Sequence, residues 1–243
     1  MKVAGLTDVG KVRDNNEDCY AFLSLDGGAE FAIVCDGMGG MEGGEIASSI
    51  AVETIQKKVE IAFSPKMKPA AIERMLIAAI TAANFEIYDY ALKHDLMGMG
   101  TTVVAAVAKE DYIVIAHDGD SRAYLINEEI RQVTQDHTFL NELFQLGKIT
   151  HEEKEKDPRK NIITRALGVS EEIDVDTLVE DVAEGDTVLL CSDGLTNCLT
   201  DAQILEICKT QQLGNAPQVL IDKANENGGT DNITAALIHY EEA

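Results

Sequence analysis

Several residue types are scarce in this sequence, and their scarcity narrows the classes of protein that it can encode. The 243 residues include no tryptophan, four prolines and five cysteines, without a Cys-x-x-Cys pair. This cysteine usage fits a reducing cytosol, where Cys35 and Cys191 should pack as small core residues within apolar strands. No window contains the ~18 apolar residues of a membrane span, and no signal-peptide stretch follows Met1. We therefore expect a soluble, cytoplasmic protein that does not insert into membranes.

Positive charge is also scarce. Lysine and arginine number 20 against 43 aspartates and glutamates, which gives a formal net charge of −23 at pH 7. A chain of this sign repels polyanions, which argues against nucleic acid and anionic membrane surfaces as partners. Any anionic substrate would need bound cations or a local arginine to reverse the field at its site.

Apolar periodicity predicts an α+β fold. Residues 2–9, 19–25 and 30–35 have the pattern of short strands, whereas Ile46, Ile50 and Ile55 fall on one helical face and a longer stripe runs from Ile72 to Ala91. Further strands are predicted at 101–109, 111–116, 122–126, 130–133, 173–180, 186–191 and 232–240, with helices at 201–212 and 216–226. This order suggests two antiparallel sheets packed together, with a pair of helices on each outer face.

Acidic residues stand where several apolar strands run into glycine. The strand before Asp36-Gly37, the strand before Asp193-Gly194 and the strand before Asp118-Gly119-Asp120 end in this way, and Asp231 precedes the last strand. Each Asp-Gly alone could be an ordinary turn. Four carboxylates from distant parts of the chain, however, cannot share a site without a cation. Oxygen ligands of this kind suit hard divalent ions such as Mg²⁺ or Mn²⁺.

Eight short motifs in this order resemble the metal-dependent serine/threonine phosphatases of the protein phosphatase 2C (PPM) family, and specifically its bacterial branch. The match covers essentially the whole chain. The motifs are Arg13-x-x-Asn16-Glu17-Asp18, Asp36-Gly37-Met38-Gly39-Gly40, Gly100-Thr101-Thr102, Gly119-Asp120-Ser121-Arg122, Asp136-His137, Ile163-Thr164-Arg165-Ala166-Leu167-Gly168, Ser192-Asp193-Gly194 and Gly229-Thr230-Asp231-Asn232. The resemblance implies a four-layer αββα sandwich, formed by a single domain over residues 1–243.

The resemblance implies a metal centre of Mn²⁺ or Mg²⁺ ions. Asp36 would bridge two of them, and the Gly37 carbonyl would complete one. Asp193 and Asp231 would hold the other ion. Asp120 matches a position that, in bacterial members, helps to hold a weaker third ion. Oxygen ligands suit both metals, so the choice between manganese and magnesium stays open.

Four further residues of the expected site lie in the first two motifs. Glu17 and the metal ligand Asp18 would sit around the second ion, either directly or through water. Arg13 would clamp the phosphate, because a guanidinium binds phosphate through a planar fork that lysine cannot imitate; the alternative is an ordinary surface arginine. Met38 stands where animal members carry a histidine thought to protonate the leaving alcohol. Methionine cannot donate a proton, so the general acid is unassigned.

Three other features have a structural and a functional interpretation. Arg122 is expected to be an internal partner for a buried carboxylate, and His137 a satisfied structural histidine rather than a catalytic one. Residues 141–165 correspond to the flap segment of bacterial members. A mobile segment beside a metal site governs substrate access, although its mixed charges also suit a solvated loop.

The implied reaction is hydrolysis of phosphoserine or phosphothreonine on proteins. A hydroxide that bridges the two ions would attack phosphorus in line, without a phosphoenzyme. By resemblance the partners are phosphorylated proteins and a serine/threonine protein kinase of the same cell, and we expect a monomer. Two alternatives remain: a catalytically inactive domain that acts as a binding module, and a metal-dependent phosphohydrolase of small molecules, which would share the same metal centre.

Overall fold

The computed structural model describes residues 1–39, 43–159 and 161–241, so that Gly40 of the second motif lies outside the described residues. The strands are β1 (Lys2–Asp8), β2 (Asp18–Leu25), β3 (Ala29–Met38), β4 (Gly100–Thr101), β5 (Val103–Ala108), β6 (Tyr112–Asp118), β7 (Arg122–Ile126), β8 (Ile130–Gln132), β9 (Asp176–Asp181), β10 (Thr187–Cys191) and β11 (Ile233–His239). The helices are α1 (Gly43–Ala62), α2 (Pro69–His94), α3 (Phe139–Gln145), α4 (His151–Lys156), α5 (Asp193–Thr196), α6 (Asp201–Thr210) and α7 (Ala216–Glu226).

The strands form two antiparallel sheets. One sheet has the order β1-β11-β10-β7-β8, and the other has the order β2-β3-β5-β6-β9, with the short strand β4 paired to β3. The last strand of the chain, β11, lies between β1 and β10. The α+β class and the pair of antiparallel sheets expected from the sequence are confirmed.

Three apolar clusters separate four layers of secondary structure. In β3, Ala32 and Val34 point between the sheets, whereas Phe31, Ile33 and Cys35 point toward the helices α1 and α2. The strand β10 alternates in the same way between the inner cluster and a third cluster under α6 and α7. Because both faces of these central strands are buried, their sequences are continuously apolar rather than alternating.

The two long helices pack differently from each other. In α2, every position of the expected stripe from Ile72 to Ala91 is buried. In α1, Ala47 and Ala51 are fully buried, but Ile46 and Ile50 are half-buried. Compared with the predicted face through Ile46 and Ile50, the face of α1 that meets the sheet is rotated toward the alanines. Small side chains at these positions let the helix backbone approach the sheet closely.

The segment of residues 139–162, between β8 and β9, is closed by hydrogen bonds that join its two ends to each other. The Phe139 N–H donates to the Ile162 carbonyl and the Thr164 N–H donates to the His137 carbonyl, both at 2.9 Å. Between these ends lie the short helices α3 and α4. The helix α5 was not expected from the sequence, because four residues cannot show a period. The strand expected at 101–109 is divided into β4 and β5. None of the helices in the described parts of the chain is long and apolar enough to cross a membrane.

Asn84, a fully buried amide in α2, connects the helix layer to the loop that follows this segment. Its Nδ2 donates to the carbonyls of Ser170 (2.9 Å) and Glu171 (3.1 Å), and its Oδ1 accepts from the Gly168 N–H at 2.7 Å. We expect Asn84→Ala to lower the free energy of unfolding by ~1–3 kcal/mol, because it leaves buried backbone groups without partners.

Chemical denaturation of both proteins measures this difference. The matched control is Thr81→Ala, which changes an exposed position one turn earlier in α2 and should stay within ~0.5 kcal/mol of the parent. Equal stability of the Asn84→Ala variant and the parent would show that the loop does not depend on the amide.

Candidate metal centre

The expected carboxylates meet at one end of the paired sheets. A cavity of about 580 Å³ opens there, and its lining includes Arg13, Asp36, Asp120, Asp193 and Asp231. They come from the loop before β2, the end of β3, the turn after β6, the start of α5 and the turn before β11. Gly37, Met38 and Glu17 also line this cavity. Asp18 does not line it but lies directly opposite Asp36 in the β2–β3 register.

Asp18 is buried beneath the cavity and is only half satisfied by the protein. Its Oδ2 accepts hydrogen bonds from Ser192 Oγ (2.7 Å) and Thr234 Oγ1 (2.6 Å), whereas its Oδ1 has no partner among the described residues. Burial raises the pKa of Asp18 to about 7. Because buried polar atoms nearly always have a partner, this free oxygen matches the requirement of a cation ligand.

The Gly-Thr-Thr motif holds Asp36 in place by its backbone. Thr101 Oγ1 and the Thr102 N–H both donate to the Asp36 carbonyl at 2.9 Å. Thr102 Oγ1 accepts from the Asp36 N–H at 3.0 Å and contacts Ser121 Oγ at 2.6 Å. These bonds fix the end of β3 and thus the direction of the Asp36 side chain. The sequence placed Thr101 and Thr102 in a motif but gave them no role.

The electrostatics of the cavity require positive charge. The pKa of Asp36 is raised well above its usual value by burial and by the charges of Asp18, Asp193, Asp120 and Asp231. Burial and the charge of Asp193 raise the pKa of Asp120 to about 7. Burial and the charge of Asp231 likewise raise the pKa of Asp193. Carboxylates this close can all be ionised only if cations lie among them, and their oxygen atoms fit hard divalent ions.

Glycine at position 37 is needed for close packing beside the cavity. A Cβ on Gly37 would collide with the Gly44 carbonyl and would lie 2.6 Å from the Glu17 carbonyl. The Gly37 N–H donates to that Glu17 carbonyl at 3.1 Å. The end of β3, the start of α1 and the loop before β2 therefore meet here by their backbones.

Asn232 fixes the loop that carries Arg13. Its Oδ1 accepts from the Glu17 N–H at 2.8 Å, and its Nδ2 donates to the carbonyls of Val9 (3.0 Å) and Asn15 (2.8 Å). Arg13 in turn donates from Nη2 to Asp231 Oδ2 at 2.8 Å, with 48% of its side chain exposed. The last motif thus positions both a carboxylate and the arginine, a role for Asn232 that the sequence did not reveal.

Arg122 has the internal partner that the sequence predicted. It forms a two-pronged ion pair with Asp136, at 2.9 Å from Nε to Oδ1 and 2.6 Å from Nη2 to Oδ2. Gln132 Nε2 also donates to Asp136, at 2.7 Å. The pair lines a second cavity of about 620 Å³, which shares Asp120 and Asp193 with the first.

His137 is satisfied by structural contacts, as expected. Its Nδ1 accepts from the Gly119 N–H at 3.0 Å, and its Nε2 lies 3.2 Å from Asp176 Oδ2. The ring stacks on His117, with centroids 4.8 Å apart. The group His117, His137 and Asp176 is compact enough for a metal ion. However, stacked imidazoles cannot both direct a ring nitrogen at one ion, and Arg165 already supplies a cation to Asp176.

Comparison with known proteins agrees with this geometry. The sequence profile of the family described as "Protein phosphatase 2C" matches residues 11–220. The chain is 43% identical over 235 residues to the "Serine/threonine phosphatase stp" of Listeria innocua serovar 6a, which covers 96% of this chain and 93% of that relative. It is 36% identical to the solved serine/threonine phosphatase of S. agalactiae, with a TM-score of 0.93 and coverage of 99% of both chains.

A third comparison bears on the metal. The catalytic domain of the serine/threonine protein phosphatase PstP, solved in complex with two manganese ions, is 32% identical to this chain, with a TM-score of 0.84 and coverage of 99% of this chain and 98% of that one. Family profile, relatives and solved structures therefore agree over nearly the full length. The chain belongs to the protein phosphatase 2C family and is a protein serine/threonine phosphatase.

Proposed function

We propose that this phosphatase hydrolyses phosphoserine and phosphothreonine in proteins with the help of divalent ions held at the carboxylate cavity. The observation that carries the proposal is the buried Asp18 Oδ1, which has no partner among the described residues and lies beneath carboxylates whose pKa values burial and mutual repulsion raise. In the cell, the enzyme would oppose a serine/threonine kinase and act on the phosphorylated proteins of that kinase.

The ligands follow from the placement of the side chains. Asp36, Asp18, Asp193, Asp231 and the Gly37 carbonyl would together hold the two ions. Bound Mn²⁺ or Mg²⁺ would cancel the carboxylate charges and supply an activated water at neutral pH. Mg²⁺ and Mn²⁺ both accept such a set of oxygen ligands.

Arg13 would hold the phosphoryl group of the substrate. Asp231 positions the guanidinium at the mouth of the cavity through one hydrogen bond from Nη2. A guanidinium carries five N–H donors, so the remaining donors can bind phosphoryl oxygens in a planar fork. Because the side chain is half exposed, it can adjust to the substrate without disturbing the buried carboxylates.

The flap would contribute to substrate access. Asn161 and Ile163, close to the second end of this segment, line the cavity together with Val12 from the opposite loop. A protein substrate must therefore pass between residues of the flap and residues of the Arg13 loop. The apolar side chains at this entrance suit a peptide better than a strongly hydrated sugar phosphate.

A comparison of substrates tests the proposed function. We expect turnover of a phosphothreonine peptide in the presence of Mn²⁺, no activity after exhaustive chelation, and recovery when the metal is returned. Glucose 6-phosphate should be a poor substrate under the same conditions. Asp36→Asn should abolish turnover and remove at least one metal site in calorimetry, because two cations would repel each other across a neutral amide.

Activity that survives chelation would contradict the metal-dependent mechanism. Faster turnover of the sugar phosphate than of the peptide would instead contradict the assignment to protein substrates. Near-normal rates and normal metal binding in Asp36→Asn would show that Asp36 has only a structural role in its turn. Circular dichroism of the variant controls for loss of the fold.

For Arg13→Ala we expect weaker binding of the phosphopeptide with little change in metal affinity. Loss of a charge-assisted pair costs ~1.5–3 kcal/mol, or about 10- to 150-fold in KM. Arg13→Lys should recover only part of the loss, because an ammonium group cannot bind in a fork. The measurements are KM for the phosphopeptide and metal titration. Unchanged KM and kcat in Arg13→Ala would assign the residue to the surface.

We expect Asp120 to affect the rate of the chemical step more than the binding of the two core ions. Met38 lines the cavity and cannot donate a proton, whereas Asp120 has a pKa raised to about 7 by burial and by Asp193. Its carboxyl can therefore hold a proton or bind a weaker third ion at neutral pH. Asp120→Ala should slow hydrolysis of alkyl phosphates, which have poor leaving groups, more than that of p-nitrophenyl phosphate, and metal titration should still show the two core ions.

Rates on the two kinds of substrate, measured beside the metal stoichiometry, decide the role of Asp120. An equal loss on both substrates would exclude a role in protonating the leaving group. Loss of the core ions would make Asp120 part of their binding site.

A further inference from the structure

An apolar groove lies on the outer surface of the helix layer, between the end of α1 and the start of α2. Its volume is about 480 Å³. The apolar side chains that line it come from both helices and from the turn between them: Ile61, Ala62, Met67, Ala71, Met75, Ala78 and Ala79. Ile61 is 76% exposed, so a large aliphatic side chain faces solvent at the wall of the groove. Met75 and Ala79 are already buried, and covering the remaining side chains would favour a partner with an apolar face.

The groove continues along α2 as a helical seam. Ala71, Met75, Ala78, Ala82 and Phe85 follow one another at alternating intervals of four and three residues, the spacing by which one helix packs along another. Phe85 is 59% exposed, Ala78 is exposed and Met75 is buried. The seam from Ala71 to Phe85 is ~21 Å long at the rise of an α-helix. Its shape therefore fits a second helix.

The charge around the groove is opposite to that of the rest of the protein. Residues 57–74 contain five cations, at positions 57, 58, 66, 68 and 74, against Glu60 and Glu73. This region thus carries +3 in a chain of net charge −23. None of the five cations forms an ion pair with another described residue. Lys58 and Arg74 line the groove from α1 and from α2 respectively.

We propose that this groove docks an amphipathic helix of a partner protein, with an apolar face in the groove and acidic residues toward Lys58 and Arg74. The groove is separate from the metal centre. Gly44 packs against Glu17 beside the carboxylate cavity, and Ile61 lies 17 residues farther along α1, which is ~26 Å. A partner can therefore bind here and leave the catalytic cavity open.

A peptide of defined chemistry tests the proposal. The probe is a fluorescein-labelled 21-residue helix, with leucines at alternating intervals of three and four residues and glutamates beside them. Fluorescence anisotropy should show saturable binding to the full-length protein, with Kd below about 1 mM. Binding should weaken as salt rises, because the exposed charges are screened.

Two charge-reversal variants locate the binding site. Lys58→Glu/Arg74→Glu should weaken binding of the peptide at least tenfold, equivalent to ~1.4 kcal/mol. The matched control, Lys209→Glu/Lys223→Glu, changes the net charge by the same amount on the opposite helix layer and should change Kd less than about twofold. Ala78→Glu should also abolish binding, because it places a carboxylate in the apolar groove. Turnover of p-nitrophenyl phosphate reports that each variant is folded.

Three results would overturn the proposal. The first is no binding of the peptide to the parent protein. The second is an equal effect of the two charge-reversal variants, which would show attraction to cations in general. The third is binding of the parent protein to vesicles of phosphatidylglycerol but not to the peptide, which would assign the groove to a membrane surface instead of a protein.

Discussion

Repulsion among buried carboxylates is the constraint on which the catalytic end of this phosphatase depends. Asp18 and Asp36 face each other across β2 and β3, and Asp193 and Asp231 approach from the other sheet. Burial and the charges of these neighbours raise the pKa of Asp36 well above its usual value. Divalent cations at this position would offset the repulsion and bring the two sheets together at the same time. Metal binding and closure of the sandwich end would then be coupled.

The residues that support these carboxylates are neutral. Ser192 and Thr234 donate hydroxyl hydrogens to Asp18, Thr102 accepts from the Asp36 N–H, and Asn232 donates to loop carbonyls. Hydroxyl and amide groups orient a carboxylate without cancelling its charge. A lysine or arginine in these positions would satisfy the carboxylates and compete with the metal. Neutral donors lie beneath the cavity, and Arg13 lies at its mouth. This distribution leaves the carboxylates available to bind cations.

Strong local patterns made most of the fold predictable. The hydrogen bonds that hold the site residues in place could not be predicted in this way. The stripe of α2 and the carboxylates at strand ends are visible within a few residues of sequence. The hydrogen bonds of Asn232 join positions more than 200 residues apart, so no local sequence pattern predicts them. The buried face of α1 differs from the predicted one. Burial of Ala47 and Ala51 depends on how closely the helix approaches the sheet, and the apolar period of the sequence does not specify this distance.

The position of β11 has a consequence for the order in which activity can arise. This strand is the last one among the described residues, yet it lies between β1 and β10 and brings Thr234 to Asp18 and Asp231 to Arg13. Asp18 and Asp36 pair early in the sequence, on β2 and β3, but Asp18 lacks its partner Thr234 until β11 inserts. A truncation that removes β11 and the turn before it would therefore leave Asp18 without Thr234 and Arg13 without Asp231. A chain that lacks β11 and this turn would have an incomplete carboxylate cavity.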